Sequence, residues 1–389
     1  MKIVVAPDKF KGSLAAADVA AAIAAGLRTE LPAAELVTIP VADGGDGTVD
    51  AAVAAGFERV PVTVDGPTGE PVAASYARRG EVAVVELATA CGLERLPGGR
   101  REPLTASSFG AGQALAAALT AGARRIIFGV GGSASTDGGA GLVQALGARV
   151  LDGRGADLGR GGAALREVAA LDLTGLHPAL REVAALDLAG LHPALRAASV
   201  ILATDVTNPL TGPDGAAEVY GPQKGASPDQ VRELDRGLRR WAAVVAEATG
   251  TDWSQAPGAG AAGGVGFAAL AVLGAERRLG IDVILDLLDF DAALDGADLV
   301  ITGEGSLDTQ TLAGKAPVGV AQAAARHGIP VVAVAGRAAL TEGELARAGI
   351  AAVYPLSDLE PDPARSSAKA SLLLRRVGQA LARDLLAKR

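Results

Sequence analysis

Six carboxylates stand in loops that carry glycine or hydroxyl residues in this chain: Asp43, Asp46, Asp137, Asp205, Glu304 and Asp308. Three lysines, Lys11, Lys224 and Lys315, lie in loops of the same kind. Together these residue types suit phosphoryl transfer. That chemistry needs carboxylates to hold Mg²⁺, one carboxylate to accept a hydroxyl proton, and cations or N–H groups for the charge on the moving phosphoryl. Taken singly, each carboxylate is more readily explained as a helix cap or the brace of an Asx turn. The lysines add weight, because the chain has seven of them against 29 arginines and lysine is not its default surface cation. Lysine meets phosphate or carboxylate as a point charge.

The densest of these loops is GVGGSASTDGGAG at 129–141. An apolar run empties into glycines and small hydroxyls, and an Ala/Leu segment at 140–146 then reads as a helix. Glycines let backbone N–H groups approach a ligand, and a helix N-terminus adds partial positive charge, so the turn suits an anion such as phosphate. A ligand-free strand-to-helix turn explains the segment equally well. The dinucleotide fingerprint G-x-G-x-x-[GA] occurs twice. At 258–263 it follows no strand and fails the context that gives it meaning. At 129–134 it follows a strand, and Asp152 stands about twenty residues on, where a ribose-binding acid would sit. NAD binding is therefore the alternative reading, although Asp137-Gly138-Gly139 intervenes where such enzymes run directly into the helix. The P-loop pattern is absent, since Ala316 follows Gly314-Lys315, and the protein-kinase signatures are missing.

The elements that must position these residues repeat one grammar. Apolar runs at 3–6, 36–40, 82–87, 126–130, 200–203, 299–301 and 331–334 each end in a loop bearing glycine, hydroxyl or acid. Residues 15–27 read as a helix, with Ser13 as its expected N-cap. Strands alternating with helices predict parallel sheet and right-handed crossovers, with ligands outside the carboxyl ends of the strands. Residues 358–367 read as a polar, Pro-bearing linker before a closing amphipathic helix at 371–386.

Composition sets the limits. At 389 residues two domains are expected, and 49% apolar residues with only 3% aromatics imply Ala/Val/Leu/Ile cores of the α/β kind. A net charge of −8 without a basic stripe argues against nucleic acid. The single cysteine, Cys91, excludes an internal disulfide and fits a reducing compartment. The three histidines, His177, His192 and His327, have no zinc-ligand spacing. No apolar run is long enough for a bilayer, so no membrane partner and a cytoplasmic location are expected. Residues 165–179 (LREVAALDLTGLHPA) recur at 180–194 with one change. Two units cannot fill the same core slot and are too few for a solenoid, so one copy is expected at the surface without a chemical role.

Seven runs, in order along nearly the whole chain, resemble the glycerate kinase family that includes bacterial glycerate 2-kinases. They are APDKFKGSL (6–14), PVADGGDGT (40–48), GVGGSASTDGGAG (129–141), TDVTNPLTGPDGAA (204–217), YGPQKGAS (220–227), PGAGAAGGVG (257–266) and VITGEGSLDTQTLAGK (300–315). The chain departs from the family pattern at Lys9, Asp46 and 134–137, and the fifteen-residue copy looks like an extra insertion. The resemblance implies ATP-dependent phosphorylation of D-glycerate with Mg²⁺, giving a phosphoglycerate, 2-phosphoglycerate favoured. It also implies two α/β domains facing each other over a cleft. One is Rossmann-like, with a mainly parallel sheet, and discontinuous (1–60 and 285–389); the other is inserted (61–284). The partners implied are the small molecules D-glycerate and ATP; a homo-oligomer stays open.

On that basis Asp43 and Asp205 are expected to organise Mg²⁺. Lys11 and Lys224 are expected on the glycerate carboxylate or the γ-phosphate, and the amides of Gly131, Gly132, Ser133, Gly303 and Gly305 on phosphates. Asp8, Gly44, Gly45 and Asn208, from the same loops, complete the expected binding contacts. Glu304 or Asp308 is the expected proton acceptor, with Lys315 as a charge partner and Asp137 in the catalytic set. A non-catalytic anion-binding protein is the third reading.

Overall fold

A computed structural model describes residues 1–180 and 198–387, and these divide into two compact units. The first comprises residues 1–43, 50–56 and 279–389; the second comprises 44–49 and 57–278. The chain is a mixed α/β protein with parallel sheets.

It opens the first unit with β1 (Lys2–Pro7), the helix Ala16–Glu30 and β2 (Glu35–Thr38). It then builds the second unit from β3 (Glu58–Asp65), β4 (Pro71–Arg79), β5 (Val82–Glu86) and β6 (Arg125–Gly129). There follow β7 (Arg149–Asp152), β8 (Val168–Asp172), β9 (Ser199–Ala203) and β10 (Glu276–Arg278). The first unit resumes with β11 (Leu299–Leu307), β12 (Val331–Ala338) and β13 (Ala352–Pro355).

The first unit's sheet has the order β13-β12-β11-β1-β2, parallel throughout. This is a Rossmann-like, doubly wound arrangement whose direction of winding switches between β1 and β11, where such sheets place their ligands. The two faces explain the apolar runs. Ile3, Val5 and Ile301 pack under the helices Ala16–Glu30 and Ala370–Ala387. Val4, Ala6 and Val300 pack under Gly280–Leu287 and Ala316–Arg326. Residues that alternate between two covered faces must all be apolar.

The second unit's sheet runs β10-β9-β6-β5-β4-β3, parallel from β10 to β5 and antiparallel from β5 to β3. The 22-residue helix Pro228–Thr249 begins with a capping box between Ser227 and Gln230, and it buries Trp241. Cys91 lies in this unit's core, where burial pushes its thiol up to about 12. Among the described residues no helix is long and apolar enough to cross a membrane.

Several local expectations change. Ser13 does not cap the first helix, which starts after Ala15; its Oγ donates instead to the Ser367 carbonyl at 2.9 Å. The stretch after β5 is a short helix, Leu87–Cys91, rather than a loop. The expected linker at 358–367 contains the helix Pro363–Ala368, capped by the Asp362 carboxylate.

The duplicated segment is described through Leu180; the rest of the second copy, with His192, lies outside the described residues. The first copy supplies β8, which pairs with β7, and buries Leu165, Val168 and Leu176. Beyond it the Ala198 N–H donates to the Ala179 carbonyl at 3.0 Å. Deleting 180–194 puts Leu195 after Ala179, in the place of buried Leu180, and leaves Leu195, Arg196 and Ala197 to reach Ala198. The deletion variant is therefore expected to fold and to keep its activity. Thermal melting and an activity assay check this, and an unfolded or inactive variant would refute it.

Candidate functional site

In the first unit the site is built at the switch point. Asp8 follows β1, Glu304 lies near the end of β11, and Asp43 follows β2. Asp8 donates its N–H to the Gly303 carbonyl at 2.8 Å, which ties the loop after β1 to β11. Gly303 itself pairs with Pro7 and Val334, so it frames the site from inside the ladder and does not offer a loop amide.

Glu304 is buried, and its Oε1 accepts a short hydrogen bond from the Thr311 hydroxyl. Thr311 in turn accepts the Asp308 N–H at 3.0 Å, and Glu304 is a much nearer acceptor for its one proton than the Ser306 carbonyl at 3.5 Å. Burial holds the Glu304 carboxyl above the usual carboxylate range; the Thr311 hydrogen bond and the Lys315 charge oppose this, and Asp43 and Asp308 add to it. Asp8 is pushed well above its usual range, first by burial and next by the charge of Asp43, against the opposing pull of Lys9. Thus two carboxyls at one corner of the sheet are poised to bind protons or positive charge.

Asp308, the other expected proton acceptor, is braced locally. Its Oδ1 accepts the Gln310 N–H at 3.0 Å and its Oδ2 the Ser306 hydroxyl at 3.1 Å. Arg337 donates to that same Ser306 hydroxyl at 3.0 Å. Lys315 stands at the start of the helix Ala316–Arg326, with Nζ 3.5 Å from Gln310 Oε1. Sequence reasoning missed Thr311 and Arg337, which show no motif of their own.

Replacing Asp8 by Asn is expected to lower activity while raising thermal stability near neutral pH by a few degrees. The folded-state pKa of Asp8 is raised. The proton it binds in the folded chain therefore stabilises fully below the usual carboxylate value, and that stability is lost as pH rises through the raised pKa. Asn carries no charge at any pH, so the gap in melting temperature should close in acid. Calorimetry at two pH values checks this; equal melting temperatures near neutrality would refute it.

The second unit gathers other expected residues around the loop after β6. A Cβ at Gly131 would lie 2.5 Å from Gly45 Cα, and one at Gly129 2.5 Å from the Gly44 carbonyl, so these backbones touch only because no side chains intervene. Glu86, which the sequence did not single out, is buried at the end of β5 and accepts the Gly47 and Val49 N–H groups at 3.2 and 3.0 Å.

Asp137, expected in the catalytic set, is fully buried and saturated. Its carboxylate accepts from the Ser107 hydroxyl, the Ser108 N–H and hydroxyl, and the Gly139 and Gly141 N–H groups. The following helix, Ala140–Ala145, has only six residues and is served at its start by this side chain. The anion at this turn is the chain's own carboxylate. Lys224 is likewise turned inward, donating to Ser133 Oγ at 2.9 Å and to the Ser135 carbonyl at 2.5 Å. Burial lowers its pKa to about 7, opposed by Asp137. The Trp241 indole N–H donates to the Gly138 carbonyl at 2.9 Å and fixes the same loop. Only Gly131 and Gly132 reach the surface; Ser133 is buried. Asn208 spends its amide on the Asp214 carbonyl and the Tyr220 hydroxyl, and Asp205 stands partly exposed after β9.

The dinucleotide alternative loses its context here. The chain runs from Gly129 to Ala140 between strand and helix, and Asp152 braces a turn by accepting the Arg154 and Ala156 N–H groups.

Residues 3–386 match the sequence profile of the glycerate kinase family. The chain belongs to that family. It is an enzyme, a kinase that passes a phosphoryl group to an alcohol. It is 44% identical over 359 residues to the glycerate kinase of Bacillus subtilis (strain 168), covering 92% of this chain and 90% of that one. It is also 44% identical over 358 residues to the glycerate 2-kinase of Escherichia coli (strain K12), covering 91% and 90%. A crystal structure of a candidate glycerate kinase 2 from Salmonella typhimurium LT2 superposes with a TM-score of 0.82 at 42% identity, covering 100% of this chain and 99% of that one.

Proposed function

We propose that this glycerate kinase family member uses ATP to phosphorylate D-glycerate, with 2-phosphoglycerate as product. Glu304 carries the reading: a buried carboxylate with a raised pKa at the switch point of a doubly wound sheet, held through one oxygen by Thr311. The second oxygen, Oε2, then takes the proton of the attacking hydroxyl. As that proton moves to Glu304, the alcohol oxygen forms its bond to the γ-phosphorus, the bond to the bridging oxygen breaks, and ADP leaves. Lys11 and Lys315 offset charge on the phosphates and on the reacting carboxylate.

The residues present fit Mg²⁺. The donors gathered near Glu304 are all hard carboxylate oxygens, and burial first and then the charges of Asp43 and Glu304 raise the pKa of Asp8. Among the described residues no group of three or more His, Cys, Asp or Glu forms a complete metal cage. Mg²⁺ fits this, because it keeps waters and takes one or two carboxylates plus substrate phosphates. Asp43 and Asp8 would hold it, and when bound it neutralises developing phosphate charge.

The name of the Escherichia coli relative favours the 2-position. A single unpaired cysteine and small-molecule substrates fit a cytoplasmic enzyme. A coupled assay of ADP formation with and without D-glycerate tests the function, and NMR of the product tests the position. Nicotinamide binding without ATP turnover, or glycerate binding without product, would overturn it.

A further inference from the structure

A cavity of about 310 Å³ opens in the first unit at the carboxyl ends of the strands. It lies on the sheet face covered by the helices Ala16–Glu30 and Ala370–Ala387, since Phe10, Leu356 and Ala370 line it and belong to that core. Its outer wall is the segment that reads in sequence as a mere linker, with Pro361 and Pro363. Its lining includes the cations Lys11 and Arg337 and the polar residues Ser357, Glu360 and Ser366.

We propose that this cavity holds the nucleoside of the nucleotide substrate, with the phosphates passing Lys11 and Arg337 toward Glu304. The inference rests on the kinase reading above. A three-carbon acid has no use for a mostly apolar cavity of this size, whereas a base and a ribose do. The position agrees, because Gly305 of β11 and Phe10 after β1 bracket the winding switch. At Gly305 the two elements touch: a Cβ added there would be in ordinary contact with the Lys11 nitrogen at 3.4 Å and the Phe10 Cα at 3.6 Å, so the backbone that carries Lys11 lies directly against β11 beside the cavity. The neighbouring residue is Glu304, whose side chain points by strand alternation to the opposite face. Arg337 joins the two sides, lining the cavity while donating to Ser306, which donates to Asp308. Glu360 also lines the cavity and, paired with Lys369 at 3.7 Å, offers a carboxylate suited to a ribose hydroxyl.

The test fills the cavity from its outer wall. Ser366→Trp and Ser357→Trp lie outside the residues assigned to proton or phosphate chemistry. By calorimetry ADP should bind the unaltered protein, and each variant should bind it about tenfold or more weakly. The KM for ATP should rise by a similar factor, with the KM for D-glycerate within about twofold and the melting temperature unchanged. Folded variants that bind ADP as the unaltered protein does, while that protein phosphorylates glycerate, would overturn the cavity assignment and leave the kinase reading intact. ADP binding that the variants lose, in a protein without glycerate-dependent turnover, would uphold the cavity and sink the kinase reading.

Discussion

Glu304→Gln lowers turnover by about 10²–10³-fold, with the KM values for both substrates changed little, because the group removed acts on a proton that moves in the transition state. Gln keeps the shape and still accepts the Thr311 hydrogen bond, so the loss is chemical and not architectural. The unaltered enzyme should also lose turnover on the acid side at a pH above the ordinary glutamate value of 4.5, since burial raises the Glu304 pKa. A base must be ionised to act, and a raised pKa moves that limb upward. Steady-state kinetics across pH check both statements. A Glu304→Gln variant within about threefold of normal turnover would move the proton acceptor elsewhere.

Asp137→Ala unfolds the second unit long before it reveals anything about catalysis. The substitution leaves five donors around a buried hole. Removing one partner from such a buried charged network costs about 3–5 kcal/mol. Asp137→Asn, which keeps the size but replaces one acceptor by a donor, should fall between. Urea unfolding checks the order. If Asp137→Ala melted like the parent and lost only turnover, Asp137 would belong to the chemistry after all.

Much of this was legible in the residues, and the reasons are uneven. The parallel strands announce themselves because each is covered on both faces, so β1, β5, β6, β9, β11 and β12 each contain a run of three or more apolar residues. The antiparallel pair β3 and β4 escaped. Their exposed residues alternate with half-buried and buried ones, and Pro61 and Pro71 interrupt the apolar pattern. Carboxylates in glycine-bearing loops drew attention to these segments, yet type and spacing cannot say which way a side chain turns. Asp137 and Lys224 look like ligand-binding groups in a string of letters, and packing turned both inward. Glu304 and Asp308 stand four residues apart on one motif. Only the hydrogen bonds separate a braced Asp308 from a Glu304 with one oxygen unclaimed. Thr311 became visible only with them.

The placing of β1 has a cost in time. This strand is translated long before β11, one of its two neighbours in the sheet, whose Leu299 lies opposite Ile3. Until nearly three hundred residues have been made, Ile3, Val4 and Val5 wait with an open edge, while the residues of the second unit have all been synthesised and can close their own sheet. The nascent chain therefore carries one open edge of β1 through much of its synthesis, because only β2 can pair with it before β11 is made. Newly made protein should depend on holding chaperones more than its finished stability suggests, and that dependence should ease if a circular permutation lets β1 and β11 be translated together.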